Sequence, residues 1–274
     1  MEYKLPERFE NSNKSTYGKV LNIAGSDYMS GAAYLSSVSA LKVGCGYCYL
    51  CSTERVIDAV AAQTQNIVFL PYDNFEKFLK FTPPDVVSIG CGLSQDSQAV
   101  EIFNKFLNNV SNEIPVIIDA DGLNIISKNS ELFISKGFKH CVFTPHPKEA
   151  ARLLGCSLEN VLLDVEASAF KISEIYKCIT VLKTHKTIVT APDGKKYINT
   201  TGNNCLAKAG SGDVLTGMIT GLTAQSKDLF EASVLGAYAH GLCGDFAKEK
   251  LTEYSVMAED LISYIPNAFK YILD

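Results

Sequence analysis

Short apolar runs recur along this chain, each ending in glycine or a polar residue, and helical patterns fill the intervals between them. Runs of about four to eight apolar residues suit buried strands, and their alternation with helices is the βαβ signature of a layered, mostly parallel sheet. Strands are expected at 20–23, 46–51, 86–89, 116–118, 141–143 and 180–182. Helices are expected over 31–43, from Glu54 behind a Ser52 or Thr53 cap, and over 214–224, 230–248 and 257–273. Residues 187–191 and 196–198 read as a hairpin turning at Pro192-Asp193-Gly194. No linker, repeat or low-complexity stretch divides the 274 residues, so 1–274 is expected to form one α/β domain, a three-layer fold with helices on both faces of its sheet.

Composition narrows the function classes. The net charge is −5, with acids and bases interspersed, which argues against nucleic acid as the main partner. No apolar run approaches the roughly 20 residues of a membrane helix. The opening Met1-Glu2-Tyr3-Lys4-Leu5-Pro6 has no apolar signal core, so a cytoplasmic location is expected. In a reducing compartment the nine cysteines read as small core residues. Cys45, Cys48 and Cys51 are spaced three apart, but on a strand such positions face opposite sides, which is wrong for a metal.

Polar residues and glycines cluster just past the strands, where open α/β sheets bind ligands. In Ala209-Gly210-Ser211-Gly212-Asp213, the glycines turn backbone N–H groups toward one point and a helix begins at once. That combination suits a phosphate. Asp213 reads either as a helix cap or as a proton acceptor beside that anion site. Asp119-Ala120-Asp121 reads either as a Mg²⁺ site through water or, preferably, as a helix cap. His146, between two prolines, is a ligand contact or a structural residue, and Glu149 favours a helix start. Lys183 begins Lys183-Thr184-His185-Lys186-Thr187, which is either a phosphate contact or a solvated turn. Gly31, Ala32 and Ala33 leave room for a ligand or for close helix packing, and Gly90-Cys91-Gly92 admits a ligand or merely turns the chain.

Taken in order, these segments resemble the ADP-dependent NAD(P)H-hydrate dehydratases of the ribokinase-like superfamily. Asp119-Ala120-Asp121-Gly122-Leu123-Asn124 is similar to the family's Asp-Ala-Asp-x-Leu-Asn, and Thr144-Pro145-His146-Pro147-x-Glu149 to its Thr-Pro-His-Pro-Gly-Glu. The Ala-Gly-Ser-Gly-Asp run alone is shared with many small-molecule kinases. Ala24-Gly25-Ser26 with Gly31-Ala32 resembles the first loop. The resemblance implies that Ala32, Gly92, His146 and Asp213 meet the hydrated nicotinamide nucleotide. It implies that Lys183, Thr184, His185, Lys186 and Thr187, with Gly210, Ser211 and Gly212, meet the adenine nucleotide. It further implies Mg²⁺, a homo-oligomer, often a tetramer, and ADP rather than ATP, since ATP-using relatives usually carry Asn at the position of His146. The family's epimerase domain is not evident, so epimerisation is expected from a separate chain. Three departures stand out: Cys91 and Ser94 in a loop that is usually Gly-Pro-Gly-Leu-Gly, Thr184 for Gly, and Lys148 for Gly.

The implied reaction restores NADH or NADPH from the S-form hydrate (NADHX or NADPHX), releasing AMP and phosphate. Asp213 is its expected base. The alternatives are a kinase of a small alcohol, using the same loop and aspartate, and a nucleotide-sensing module without chemistry.

Overall fold

The computed structural model describes residues 3–226 and 228–274. Its strands are β1 (Lys19–Ile23), β2 (Tyr47–Ser52), β3 (Val68–Pro71), β4 (Val86–Ile89), β5 (Val116–Ile118), β6 (Cys141–Phe143), β7 (Ile179–Leu182), β8 (Ile188–Thr190) and β9 (Lys196–Ile198). The helices are α1 (Ser30–Lys42), α2 (Glu54–Ala61), α3 (Phe75–Phe81), α4 (Ser97–Asn109), α5 (Ala120–Lys128), α6 (Ser130–Lys136), α7 (Pro147–Leu154), α8 (Leu158–Leu163), α9 (Val165–Tyr176), α10 (Ser211–Ser226), α11 (Leu229–Ser255) and α12 (Ala258–Leu273). One sheet runs in the order β3-β2-β1-β4-β5-β6-β7-β8-β9. It is parallel from β3 to β7, and β8 and β9 add antiparallel.

The three-layer arrangement follows from the strand period of two. Val20, Val86, Ile117, Val142 and Val181 share one face and pack with Leu215 and Ile219 of α10 and Val234 of α11. Their neighbours Leu21, Val87, Ile118, Phe143 and Leu182 point the other way, onto Phe103, Phe106, Leu123 and Ile172 of the opposite helices. Strands covered on both faces carry near-continuous apolar runs, which is how they were legible.

Strand β3 was not anticipated. It lies at the edge, where Val68 is exposed and Pro71 ends it, and its one paired side explains the weak signal. The cysteines are free, and all but Cys156 are buried. Cys48 and Cys51, three apart on β2, belong to the cores on opposite faces, as the strand period requires, whereas Cys45 precedes the strand and joins the core of Cys48. The Ser-rich stretch of α1 has a cause as well. Asn22 of β1 donates to Ser36 and Ser37 at 2.8 and 2.9 Å, and Ser88 of β4 donates back to Asn22 at 2.9 Å. This buried polar set satisfies its own groups.

Chain order reverses between β1 and β4, whose carboxyl ends therefore border a switch-point crevice. Gly25, after β1, donates its N–H to the Cys91 carbonyl, after β4, at 2.8 Å. Among the described residues, no helix is long and apolar enough to cross a membrane.

Candidate active site

The first turn of α10 lies at this crevice, with Asp213 near Cys91 after β4. The helix begins at Ser211, earlier than expected, so Asp213 lies inside the first turn and is not its cap. Backbone N–H groups in such a turn have no intrahelical partner and face outward. Gly210, with φ +90°, provides the bend before it. Ser211 Oγ lies 3.2 Å from His240 Nε2 of α11, and burial lowers that imidazole to about 4, so His240 is neutral.

Lys183 leaves the end of β7 and reaches the same turn. A Cβ built on Gly212 would lie 3.3 Å from Lys183 Nζ and 4.0 Å from Asp119 Oδ2. Lys183 donates to Asp119 Oδ1 at 2.7 Å, and Thr216 of α10 donates to Asp119 Oδ2 at 2.7 Å. Burial opposes the Asp119 charge, but Lys183 and the hydroxyls of Thr216 and Thr144 outweigh it and hold the carboxyl below its usual range. Burial likewise opposes the Lys183 charge, and Asp119 with Glu149 outweighs it, so the ammonium is held above its usual value. Lys183 is thus neither a solvated turn residue nor an unpaired cation.

This pairing corrects the reading of Asp119 and Asp121 as helix caps. Asp119 stands at the cap position of α5 but makes no capping bond. Asp121 accepts from the Ser94 N–H at 2.8 Å and from Gln95 Nε2 at 3.1 Å, fastening the loop after β4. Gly90 is also structural: its φ is +123°, and a side chain there would collide with the Asp119 carbonyl.

His146 caps α7. Its Nδ1 accepts from the N–H groups of Lys148 and Glu149 at 3.0 and 3.4 Å, while Glu149 Oε2 accepts from the His146 N–H at 2.8 Å. The bonds of the Glu149 and His146 N–H groups form a reciprocal capping box, with Pro147 in the first turn. With Nδ1 accepting, neutral His146 carries its proton on Nε2, which faces Glu149 Oε1 at 3.4 Å. Burial, followed by Lys183, lowers the His146 pKa. Burial raises Glu149 to about 7 against the pull of Lys183.

A cavity of about 690 Å³ opens beside this constellation. Of the expected contacts, His146, Lys183, Thr184, His185, Thr187, Ser211 and Gly212 line it. Asn199, Asn203 and Asn204 line it as well. Thr184 keeps its turn closed by donating to the Lys186 carbonyl at 2.7 Å. Lys186 and Gly210 are not among the lining residues, nor are Ala32, Gly92 and Asp213. Ala32 and Gly92 meet each other instead: a Cβ on Gly92 would lie 2.6 Å from the Ala32 Cβ. Asp213 follows the cavity-lining Gly212, and its carboxylate comes within 4.8 Å of the thiol of Cys91, the neighbour of Gly92. It therefore stands between the cavity and the switch point. Burial, then the charge of Asp119, raises Asp213 to about 6.

Cys91, Asp119 and Asp213 bring one ligand atom each within 4.8 Å of one another. The trio does not suit Mg²⁺, a hard ion that takes oxygen ligands, because one member is a thiol and Asp119 is already engaged.

Comparison with known proteins identifies the family of the chain. A family model described as NAD(P)H-hydrate dehydratase matches residues 20–267. The chain belongs to that family. A relative from Neisseria meningitidis, the ADP-dependent (S)-NAD(P)H-hydrate dehydratase, is 39% identical over 244 residues, covering 88% of this chain and 81% of its own. The bifunctional NAD(P)H-hydrate repair enzyme of Moorella thermoacetica is 35% identical over 96% of this chain, which spans 51% of that protein. Among solved structures, the Bacillus subtilis ADP/ATP-dependent NAD(P)H-hydrate dehydratase, co-crystallised with ATP and Mg²⁺, is 29% identical with a TM-score of 0.84, covering 98% of this chain and 94% of its own. The expected ribokinase-like architecture is the one these dehydratases share.

Three features of the site escaped the sequence reading: the Asp119–Lys183 pair, the contact of His240 with Ser211, and the seat of Cys91 between two carboxylates. The capping box at His146 and Glu149 was available as a signal, since an acceptor, a proline and a glutamate three residues on mark a helix start.

Proposed function

We propose that this protein is an ADP-dependent (S)-NAD(P)H-hydrate dehydratase, acting in the cytoplasm to repair nicotinamide nucleotides. One observation carries the reading: the Gly212 turn opening α10 and the Lys183 ammonium line the cavity together, and the Asp213 carboxylate beside them feels the Lys183 charge. The cavity takes the adenine nucleotide, with its terminal phosphate at Gly210–Gly212. The hydrated nicotinamide lies beyond Asp213, against Ala32, Gly92 and His146.

Hydroxide is a poor leaving group, and phosphate is a good one. The substrate hydroxyl oxygen attacks the terminal phosphorus of ADP while Asp213 takes its proton. The bond to AMP breaks, and the turn N–H groups and Lys183 stabilise the charge gathering on the transferred group. The ring nitrogen lone pair then expels phosphate, and loss of a proton from the adjacent carbon restores the double bond. Mg²⁺ would accompany the nucleotide phosphates and neutralise part of their charge.

The 274 residues work as one ribokinase-like unit within a homo-oligomer, a tetramer by resemblance, and depend on an epimerase to supply the S-form. The test incubates protein with NADHX, Mg²⁺ and ADP or ATP while the reduced-nicotinamide absorbance is followed. Recovery with one phosphate released per NADH is expected. Recovery without nucleotide use refutes the mechanism, and no recovery from folded, ADP-binding protein refutes the function.

A further inference from the structure

Thr201, Gly202, Asn203 and Asn204 line the cavity together with Lys183 and Gly212. The stretch 199–203 between β9 and the short 3₁₀ turn Asn204–Leu206 belongs to neither strand nor helix. Its polar groups must therefore be satisfied from outside it. One stripe of α11 does so. Thr201 Oγ1 donates to the Tyr238 carbonyl at 2.8 Å. Gly241 lets the chain lie flush, since a Cβ there would collide with Thr201. One turn on, Asp245 accepts twice: its Oδ2 from the Gly202 N–H at 3.0 Å, and its Oδ1 from Asn203 Nδ2 at 2.8 Å. Lys248 then donates to Asn204 Oδ1 at 3.0 Å. Positions 238, 241, 245 and 248 recur three or four apart, so they share one face of the helix.

Asp245 sets the direction of these bonds. Asn203 is itself a cap, for its Oδ1 accepts from the Cys205 N–H at 3.0 Å, which leaves its amide nitrogen for Asp245. Both groups facing Asp245 are thus donors, and a carboxylate accepts on both of its atoms. Bonds to a carboxylate are also stronger than neutral ones. We propose that Asp245 is a positioning residue for the adenine nucleotide: by gripping Gly202 and Asn203 it fixes the cavity wall before the nucleotide arrives. This role rests on the cavity being the ADP site. A wall already fixed adds no ordering cost on binding. The grip acts on the wall and not on the reacting atoms, so its loss weakens ground and transition states alike.

Asp245→Asn is the sharpest variant, because it keeps size and shape but turns an N–H toward one of the two donors. Calorimetric titration should show the Kd for ADP raised about tenfold, or about 1.4 kcal/mol. The KM for ADP should rise in step, while kcat at saturating ADP stays within about twofold of the parent. Adding Asn203→Asp to Asp245→Asn reverses donor and acceptor. The introduced carboxylate then accepts from Cys205 and from the introduced amide, whose oxygen accepts from Gly202. This exchange should return the Kd to within about threefold of the parent. A general loss of stability would give neither the split nor the rescue.

Deuterium exchange of the ligand-free protein supplies a readout without nucleotide. The stretch 199–206 should exchange faster in Asp245→Asn, with α11 unchanged, and recover in the double variant. Unaltered exchange there overturns the proposal, as does a folded Asp245→Asn that binds ADP like the parent, or a double variant that binds no better than Asp245→Asn. A parent that binds no ADP refutes the nucleotide reading of the cavity, and this role with it.

Discussion

Replacing Lys183 by methionine tests the buried ion pair most directly. The substitution keeps most of the stem and removes the charge, leaving Asp119, about 1% exposed, without its cation. Breaking one side of a buried pair costs about 3–5 kcal/mol, because the remaining charge is uncompensated. The sign with pH follows from the shifts. Asp119 is held below its usual value, so its contribution is present above the unfolded carboxyl pKa and is lost as pH falls through the folded one. Lys183 is held above its usual value, so its contribution is present below the unfolded amine pKa and lost as pH rises through the folded one. The parent therefore keeps the pair across the range between. In Lys183→Met, Asp119 must fold protonated, which costs about 1.4 kcal/mol for each pH unit above the unfolded carboxyl value of about 3.9. At pH 5 that term is about 1.5 kcal/mol, and it grows toward the full loss by pH 7. Urea unfolding followed by circular dichroism at these two pH values measures both. Adding Asp119→Asn should recover much of the deficit, since no buried charge then remains. A deficit below about 1 kcal/mol, or one equal at both pH values, contradicts the reasoning.

Asp213→Asn should lower turnover by at least about 10²-fold while ADP binding changes little, as measured by steady-state kinetics and calorimetric titration. The kcat/KM of the parent should rise with pH through about 6, because Asp213 acts only when ionised and burial raises it to that value. A flat profile across that region would remove Asp213 from the base role. Gly217→Ala should destabilise the fold by about 1–3 kcal/mol, since the added methyl of α10 meets the Ser36 carbonyl and the Ser39 side chain of α1. Thermal unfolding reads that loss, and an unchanged midpoint would mean that the two helices separate freely.

Residues themselves reveal much of this protein because local forces govern those parts. Strands buried on both faces must be apolar throughout, so β1, β4, β5 and β6 stood out, while edge strand β3 did not. The anion turn was legible because glycines, a hydroxyl and a helix start are adjacent in the chain. His146 and Glu149 were picked out by position, and their spacing already offered the capping signal that the folded chain realises as reciprocal bonds. What tertiary structure alone decided is which strand ends become neighbours. Asp119 and Lys183 are separated by 64 residues, and Asp119 and Thr216 by 97. Short of the fold, Asp119 competes as a helix cap and Lys183 as a surface turn, because either role satisfies the group locally. The sheet order removes Asp119 from water, and the partly buried Lys183 ammonium at the cavity wall then satisfies that buried carboxylate. The same closure sets the Cys91 thiol beside Asp213, a meeting of β4 with α10 that no local pattern encodes.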